Sequence, residues 1–252
     1  MNSQRQRVYT YRQQILDGAN CRELLLKMIG EQLDEKLDIL LDPKYGVETF
    51  AKWAGGNLGA DLEPRDFRNL AFGEAERLAH DEAERQAEAQ VFDAIEENLP
   101  ENDEEDWNWA ALAKWANARF GINVRDRDLK KIGRDHLSTD LIEKANAALA
   151  KINLSQGGPL LEPRFGIEEA CGWMRHKFGV EIDPPELVDL EPEEVKAIAH
   201  QRTEEAYDAR EAEYPVLAAM YRFGAKQQTL DREGLVEWAC RRFNIDLSVE
   251  DL

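Results

Sequence analysis

The feature that most constrains the fold is a fourfold repeat centred on Trp53, Trp115, Trp173 and Trp238. Three positions before each Trp stands Phe50, Leu112, Ala170 or Leu235, one after stands Ala54, Ala116, Met174 or Ala239, and five after stands Leu58, Phe120, Phe178 or Phe243. These offsets trace one apolar face of a helix. The next residue is Gly59, Gly121, Gly179 or, in the last copy, Asn244. Glycine ends helices in the left-handed conformation because it lacks Cβ, and Asn tolerates that conformation next best, so these four positions are expected to be helix caps. A Trp at a fixed place on an apolar face is far more often the anchor of its repeat than a ligand platform, so the four Trp residues and the Leu or Phe five positions on are assigned to the core.

The apolar pairs Ala60/Leu62, Ile122/Val124, Val180/Ile182 and Ile245/Leu247 follow, each around one polar residue, which predicts a short extended link with one side buried. A helix start is expected next. Asp183 with Glu186, and Ser248 with Asp251, have the spacing of an N-cap and its acid, while Pro64 and Pro184 suit a first helical position. Each unit reads as helix, turn, extended link, helix, with copies near 47–99, 106–154, 163–225 and 230–252. Copies one and three share a second match, Leu78-Ala79-His80 and Ile198-Ala199-His200, each opening a charged helix over about 75–98 and 192–213. Copy two departs, with a shorter helix capped by Ser138 and built on Leu141, Ile142, Ala145, Leu149 and Ile152. Flexible breaks are expected at the acidic run 100–106 and at 155–159, which holds Gly157 and Gly158.

Ahead of the repeats, Tyr11, Ile15, Leu24, Met28, Leu33, Leu37 and Leu40 recur at helical spacing, with Asp17 and Gly18 as the break and Pro43 as the stop. A helical pattern running almost from residue 1 without a cap suggests a piece of something longer. No stretch has strand patterning. The chain is therefore read as all-α: a long scaffold helix segment at 1–42, then four tandem repeats over 43–252.

Charge narrows the function. Asp and Glu number 51 against 32 Lys and Arg, a net charge of −19, which argues against a nucleic-acid surface and against a tandem helix-turn-helix binder. Cys21, Cys171 and Cys240 are odd in number and unpaired in spacing, which suits a reducing, cytoplasmic setting. No apolar run reaches the ~18 residues of a membrane span, so no transmembrane segment is expected.

No catalytic set emerges. Gly157-Gly158 lacks the Lys-Ser/Thr of a phosphate loop and reads as a linker. His80 with Glu84, and His200 with Glu204, could each place two ligands on a helix face, but neither has a second His or a third ligand, so both read as surface pairs. The run 103–106 lacks the Gly and the terminal Glu of a calcium loop. Cys171 and Cys240 fall on apolar helix faces, where Cys behaves as a small hydrophobe. No catalytic, metal or cofactor site is expected in this chain.

The opening resembles the SecA preprotein translocase ATPases, which carry a Met-Asn-x-Gln-Arg-x-x-Ile-Tyr-x-x-Arg-x-x-Ile-Leu stretch at the start of the helical scaffold domain. Asn2, Gln4, Arg5, Tyr9, Arg12, Ile15 and Leu16 match, with Val8 for Ile. The Trp, Phe-Gly, Leu-x-Leu unit is similar to the helical wing domain of that family, and Ala206-Tyr207-Asp208-Ala209-Arg210-Glu211 to the Tyr-x-x-Lys-Glu segment near the wing's end, with Arg210 for Lys. The resemblance implies a scaffold and wing part of the motor, with Gln4, Arg5, Tyr9 and Arg12 as contacts to the motor core. It implies the other SecA domains, the SecYEG channel and preprotein as partners, ATP and Mg in the parent only, and a cytoplasmic location at the inner membrane. A family wing is much shorter than residues 43–252, so the wing is read as expanded. The nucleotide-binding domains, the preprotein-crosslinking domain, the two-helix finger and the zinc motif of the family lie outside this sequence. The alternative reading from the repeat alone is an autonomous helical adaptor that binds peptides.

Overall fold

A computed structural model of the chain describes residues 2–16, 20–101, 106–224 and 231–251. Among the described residues there is no strand, and the all-α reading holds. The helices are α1 (Asn2–Leu16), α2 (Cys21–Leu40), α3 (Tyr45–Leu58), α4 (Phe72–Asn98), α5 (Trp109–Phe120), α6 (Asp126–Ile132), α7 (Arg134–Leu149), α8 (Phe165–Phe178), α9 (Pro192–Gly224) and α10 (Arg232–Phe243). The expected break at Asp17 and Gly18 lies outside the described residues, between α1 and α2. α2 stops at Leu40, ahead of Pro43. Two compact units form, one from 1–38 with 170–252, the other from 39–169.

In the 39–169 unit, α4 is the spine. Its first half presents Ala75, Ala79, Ala83 and Ala87, one every four residues and all fully buried, to Phe50, Ala54 and Leu58 of α3, to Leu62 and Phe67, and to Leu149 and Leu154. Small side chains spaced by four form a ridge that lets neighbouring helices approach closely. Its second half presents Val91, Ala94 and Ile95, with Leu99 just past its end, to Leu112 and Ala116 of α5, to Val124 and Leu129, and to Leu137 and Leu141 of α7. Burying a Phe or Leu in such a layer contributes about 1.5–3 kcal/mol.

Several local expectations are corrected. The second element of copies one, three and four is a short 3₁₀ turn, at Pro64–Phe67, Pro184–Glu186 and Val249–Asp251; only copy two forms an α-helix there, α6. Proline supplies a helical first dihedral in both conformations, so Pro64 and Pro184 could not separate them. Ser138 does not cap α7, which begins four residues earlier after Gly133. Residues 155–161 are no flexible linker but a 3₁₀ turn with Gly157 buried against the rings of Phe50 and Trp53. At the other expected break, the backbone is held on both sides: Trp107 Nε1 donates to Pro100 O at 2.8 Å and Asn108 N to Asn98 O at 2.8 Å.

A longer match also exists than the one between copies one and three noted above. Residues 40–48, Leu-Leu-Asp-Pro-Lys-Tyr-Gly-Val-Glu, correspond at an offset of 120 to residues 160–168, Leu-Leu-Glu-Pro-Arg-Phe-Gly-Ile-Glu. The structure brings the two stretches together reciprocally. A Cβ on Gly46 would strike the Leu160 carbonyl, a Cβ on Gly166 would strike the Leu40 carbonyl, and Tyr45 stacks on Phe165 with ring centroids 5.5 Å apart at 10°.

In the unit formed by 1–38 and 170–252, α2 and α9 run antiparallel. Asp38, Asp34 and Arg22 meet Lys196, His200 and Asp208 in reverse chain order. The Ala170, Cys171 and Met174 side chains of α8 are buried, as are Val180, Ile182 and Leu187 beyond it and Val195, Ala199 and Thr203 of α9.

Candidate functional site

On α1, Arg5, Tyr9 and Arg12 are all exposed, Tyr9 by 67%. Spacings of four and three residues place them on one side of the helix. The Gln4 side chain lies outside the described residues. Tyr11, between them in sequence, turns its hydroxyl to Glu31 of α2 at 3.5 Å.

The α2–α9 contact is the strongest polar feature of its unit, and sequence spacing does not reveal it. Arg22 donates to Asp208 and, at 3.2 Å, to Glu211, with Glu204 at 3.9 Å and the Tyr207 ring 6.0 Å away. The hydrogen bond that Arg22 donates to Asp208, and then the charge of that carboxylate, hold the guanidinium above its usual pKa. His200 Nε2 lies 2.7 Å from Asp34 Oδ1, and a Cβ on Gly30 would sit 3.3 Å from the His200 ring. His200 thus pairs across helices and not with Glu204 on its own helix. Lys196 lies 2.6 Å from Asp38 and 2.9 Å from Glu193, which push its ammonium pKa upward. The available signal was charge complementarity between 22–38 and 196–211, which becomes readable only once the pairing of the two helices is known.

The repeat tryptophans, expected in the core, are each half-buried and pack against aromatic neighbours at its margin; of the residues five positions on, Leu58 is buried, Phe120 and Phe178 are half-buried and Phe243 is exposed. Trp115, Trp173 and Trp238 each meet the Phe five residues on, Phe120, Phe178 and Phe243, edge to face at 5.4–5.6 Å and 88–89°. Copy one has Leu58 there, and its Trp53 packs instead beside Phe50 at 6.4 Å and against Gly157. Gly59, Gly121, Gly179 and Asn244 have φ of 64°, 66°, 70° and 52°, with Gly121 N donating to Asn117 O and Gly179 N to Arg175 O, both at 3.0 Å. An Arg reaches the cap in copies one and three. Arg119 donates to Leu58 O and Gly59 O at the end of α3 and, at 2.8 Å, to Gln90 Oε1 of α4; burial pulls its pKa down. Arg210 lies against Gly179. A cation at a helix C-terminus meets carbonyls that have no intrahelical donor.

Cys171 is buried, which raises its thiol pKa, while Cys240 is half-buried and its Sγ lies 3.6 Å from Leu247 O. His80 Nδ1 is buried without a hydrogen-bond partner. Among the described residues, no three His, Cys, Asp or Glu side chains converge, and no helix is long and apolar enough to cross a membrane. What the arrangement offers is an exposed polar and aromatic row on one helix, and ion pairs that fix a second helix along a third.

Fold and surface together define an all-α segment built on long helices. In sequence the chain is 47% identical over 256 aligned residues to the protein translocase subunit SecA 1 of Rhodopirellula baltica (strain DSM 10527 / NCIMB 13988 / SH1). The match covers all of this chain and 21% of that protein, so the chain spans about a fifth of its relative's length. The chain is thus similar, over its whole length, to one segment of that SecA 1 protein. No protein-family profile matches the chain, and no solved structure matches it.

Proposed function

We propose that this chain is the scaffold start and an enlarged helical wing of a SecA motor, a mechanical part that takes no direct role in ATP hydrolysis. In this reading ATP and Mg are bound by other domains of the parent, and the parent works with the SecYEG channel and preprotein at the inner membrane from the cytoplasmic side. The observation that carries it is the end-to-end match to a segment of SecA 1. The exposed row Arg5, Tyr9 and Arg12 supports a docking role for α1, since three side chains capable of charge-assisted bonds and stacking share one helix side. The α2–α9 ion pairs support a role in transmitting displacement along helices held side by side.

The test is made in the full-length parent. The triple change R5A, Y9A, R12A is expected to reduce ATP-driven preprotein transport several-fold while leaving the melting temperature unchanged, because exposed side chains contribute little to stability. Normal transport would overturn the scaffold reading. Titration of the isolated chain with Mg-ATP by calorimetry is expected to show no saturable binding, and a binding isotherm would overturn the non-catalytic part.

A further inference from the structure

In the first three copies a long helix begins 19 residues after the repeat Trp: α4 at Phe72, α7 at Arg134 and α9 at Pro192. In the first two copies this helix covers the apolar face of its own repeat. Phe50, Ala54, Leu58, Leu62 and Phe67 lie with the alanines of α4, and Leu112, Ala116, Val124 and Leu129 lie with Leu137 and Leu141 of α7. The matching positions of copy three, Ala170, Met174, Val180, Ile182 and Leu187, are also buried. Copy four differs. No residue of α10 is buried, Phe243 is 43% and Ile245 46% exposed, and Leu235, Ala239 and Leu247 are only half-buried. The register of the other copies puts the start of its helix at position 257, five places beyond Leu252.

We infer that the open face of copy four is a seat for a helix from the parent chain, beginning about five residues after Leu252 and about as long as the 27 residues of α4. The SecA 1 relative, of which this chain covers 21%, has the length to supply it. The neighbouring surface fits the same occupant. The end of α9 exposes Tyr214, Leu217 and Tyr221 at spacings of three and four, and a cleft of about 430 Å³ beside Trp238 is rimmed by Arg222, Arg241 and Arg242 against one acid, Glu237, which pairs with Arg241. An apolar stripe with a basic rim, in a chain of net charge −19, suits an amphipathic helix with acidic flanks, the composition of α4. The seated helix covers Phe243 and Leu247 as α4 covers Leu58 and Leu62, and shields Ile245, at the position of Ala60, beside them.

The experiment compares the 252-residue chain with a version extended by the next 35 residues of the parent. Extension is expected to add helix by circular dichroism, to slow amide exchange in 232–251 at least tenfold, and to remove dye binding to exposed apolar surface. F243E in the extended chain is expected to reverse the protection of 232–251 while leaving exchange in 72–98 unchanged; I245E is the second variant. Three results overturn the inference: no gain of helix on extension, added helix with unchanged exchange in 232–251, or protection that depends on protein concentration and vanishes in monomers. The last would assign the face to a second copy of the chain.

Discussion

A methyl group on residue 157 would sit 2.5 Å from the Trp53 ring and 3.0 Å from the Phe50 ring. Neither ring can retreat without opening the layer around α4, so Gly157→Ala is expected to destabilise the chain by about 1–3 kcal/mol in urea unfolding. Gly158→Ala, whose nearest neighbour would be the Phe72 ring at 3.6 Å, is expected to change little. The pair looks like a linker in sequence because Ser155, both glycines and Pro159 are all turn formers; the neighbour that fixes Gly157 lies 104 positions upstream. Gly121 isolates the backbone effect, since nothing lies within 4 Å of its Cβ position and φ is 66°. Gly121→Ala is expected to cost about 1–2 kcal/mol from the left-handed conformation alone, and Asn244→Gly to be neutral, as read from the same unfolding curves. Among the thiols, exposed Cys21 is expected to alkylate within minutes at pH 8, and buried Cys171, whose thiolate burial disfavours, only on unfolding.

At the scale of elements, Arg119 joins three helices: it sits on α5, closes the end of α3 and holds Gln90 of α4. Arg119→Ala is expected to lower stability by about 1–3 kcal/mol, with Arg119→Lys recovering part of it because an ammonium keeps the charge but not the fork. Helix existence was legible along almost the whole chain, because apolar spacing of three and four states which face is buried. Helix type was not. Pro64 and Pro184 announce a helical turn without saying whether it continues: Phe67/Leu70 and Leu187/Leu190 have the same spacing as Leu129/Ile132, yet only the last pair lies on an α-helix. Ser138 has the chemistry of a cap, but Leu137 before it is fully buried as part of the helix face, and packing overrides the local signal.

On the scale of the whole chain, compact units cut across the repeats. Copy two is no detachable insert, because α7 supplies Leu137 and Leu141 to one half of α4 and Leu149 to the other. Removing residues 100–154 therefore strips both halves of the spine. The deletion is expected to abolish cooperative unfolding of the 39–169 unit and to open α4 to limited proteolysis. An intact sharp transition would show that the unit closes without α7. The long match between 40–48 and 160–168 could be read in sequence by testing the fixed offset of 120. What could not be read is that the two stretches meet, since identity between segments says nothing about contact between them.

The crossed arrangement at Gly46 and Gly166 has the logic of a handshake: each entrance is closed by the carbonyl that precedes the other. A chain shortened by residues 46–165 joins Tyr45 to Gly166 in the same local sequence and keeps 1–38 and 170–252 whole. It is left with one entrance, at Gly166, and one carbonyl, of Leu40, which in the present fold meet across two separate copies of the connection. Two shortened molecules can complete each other, so sedimentation is expected to show a pair that dissociates on dilution. A monomer at every concentration would mean that the short connection can turn back after all.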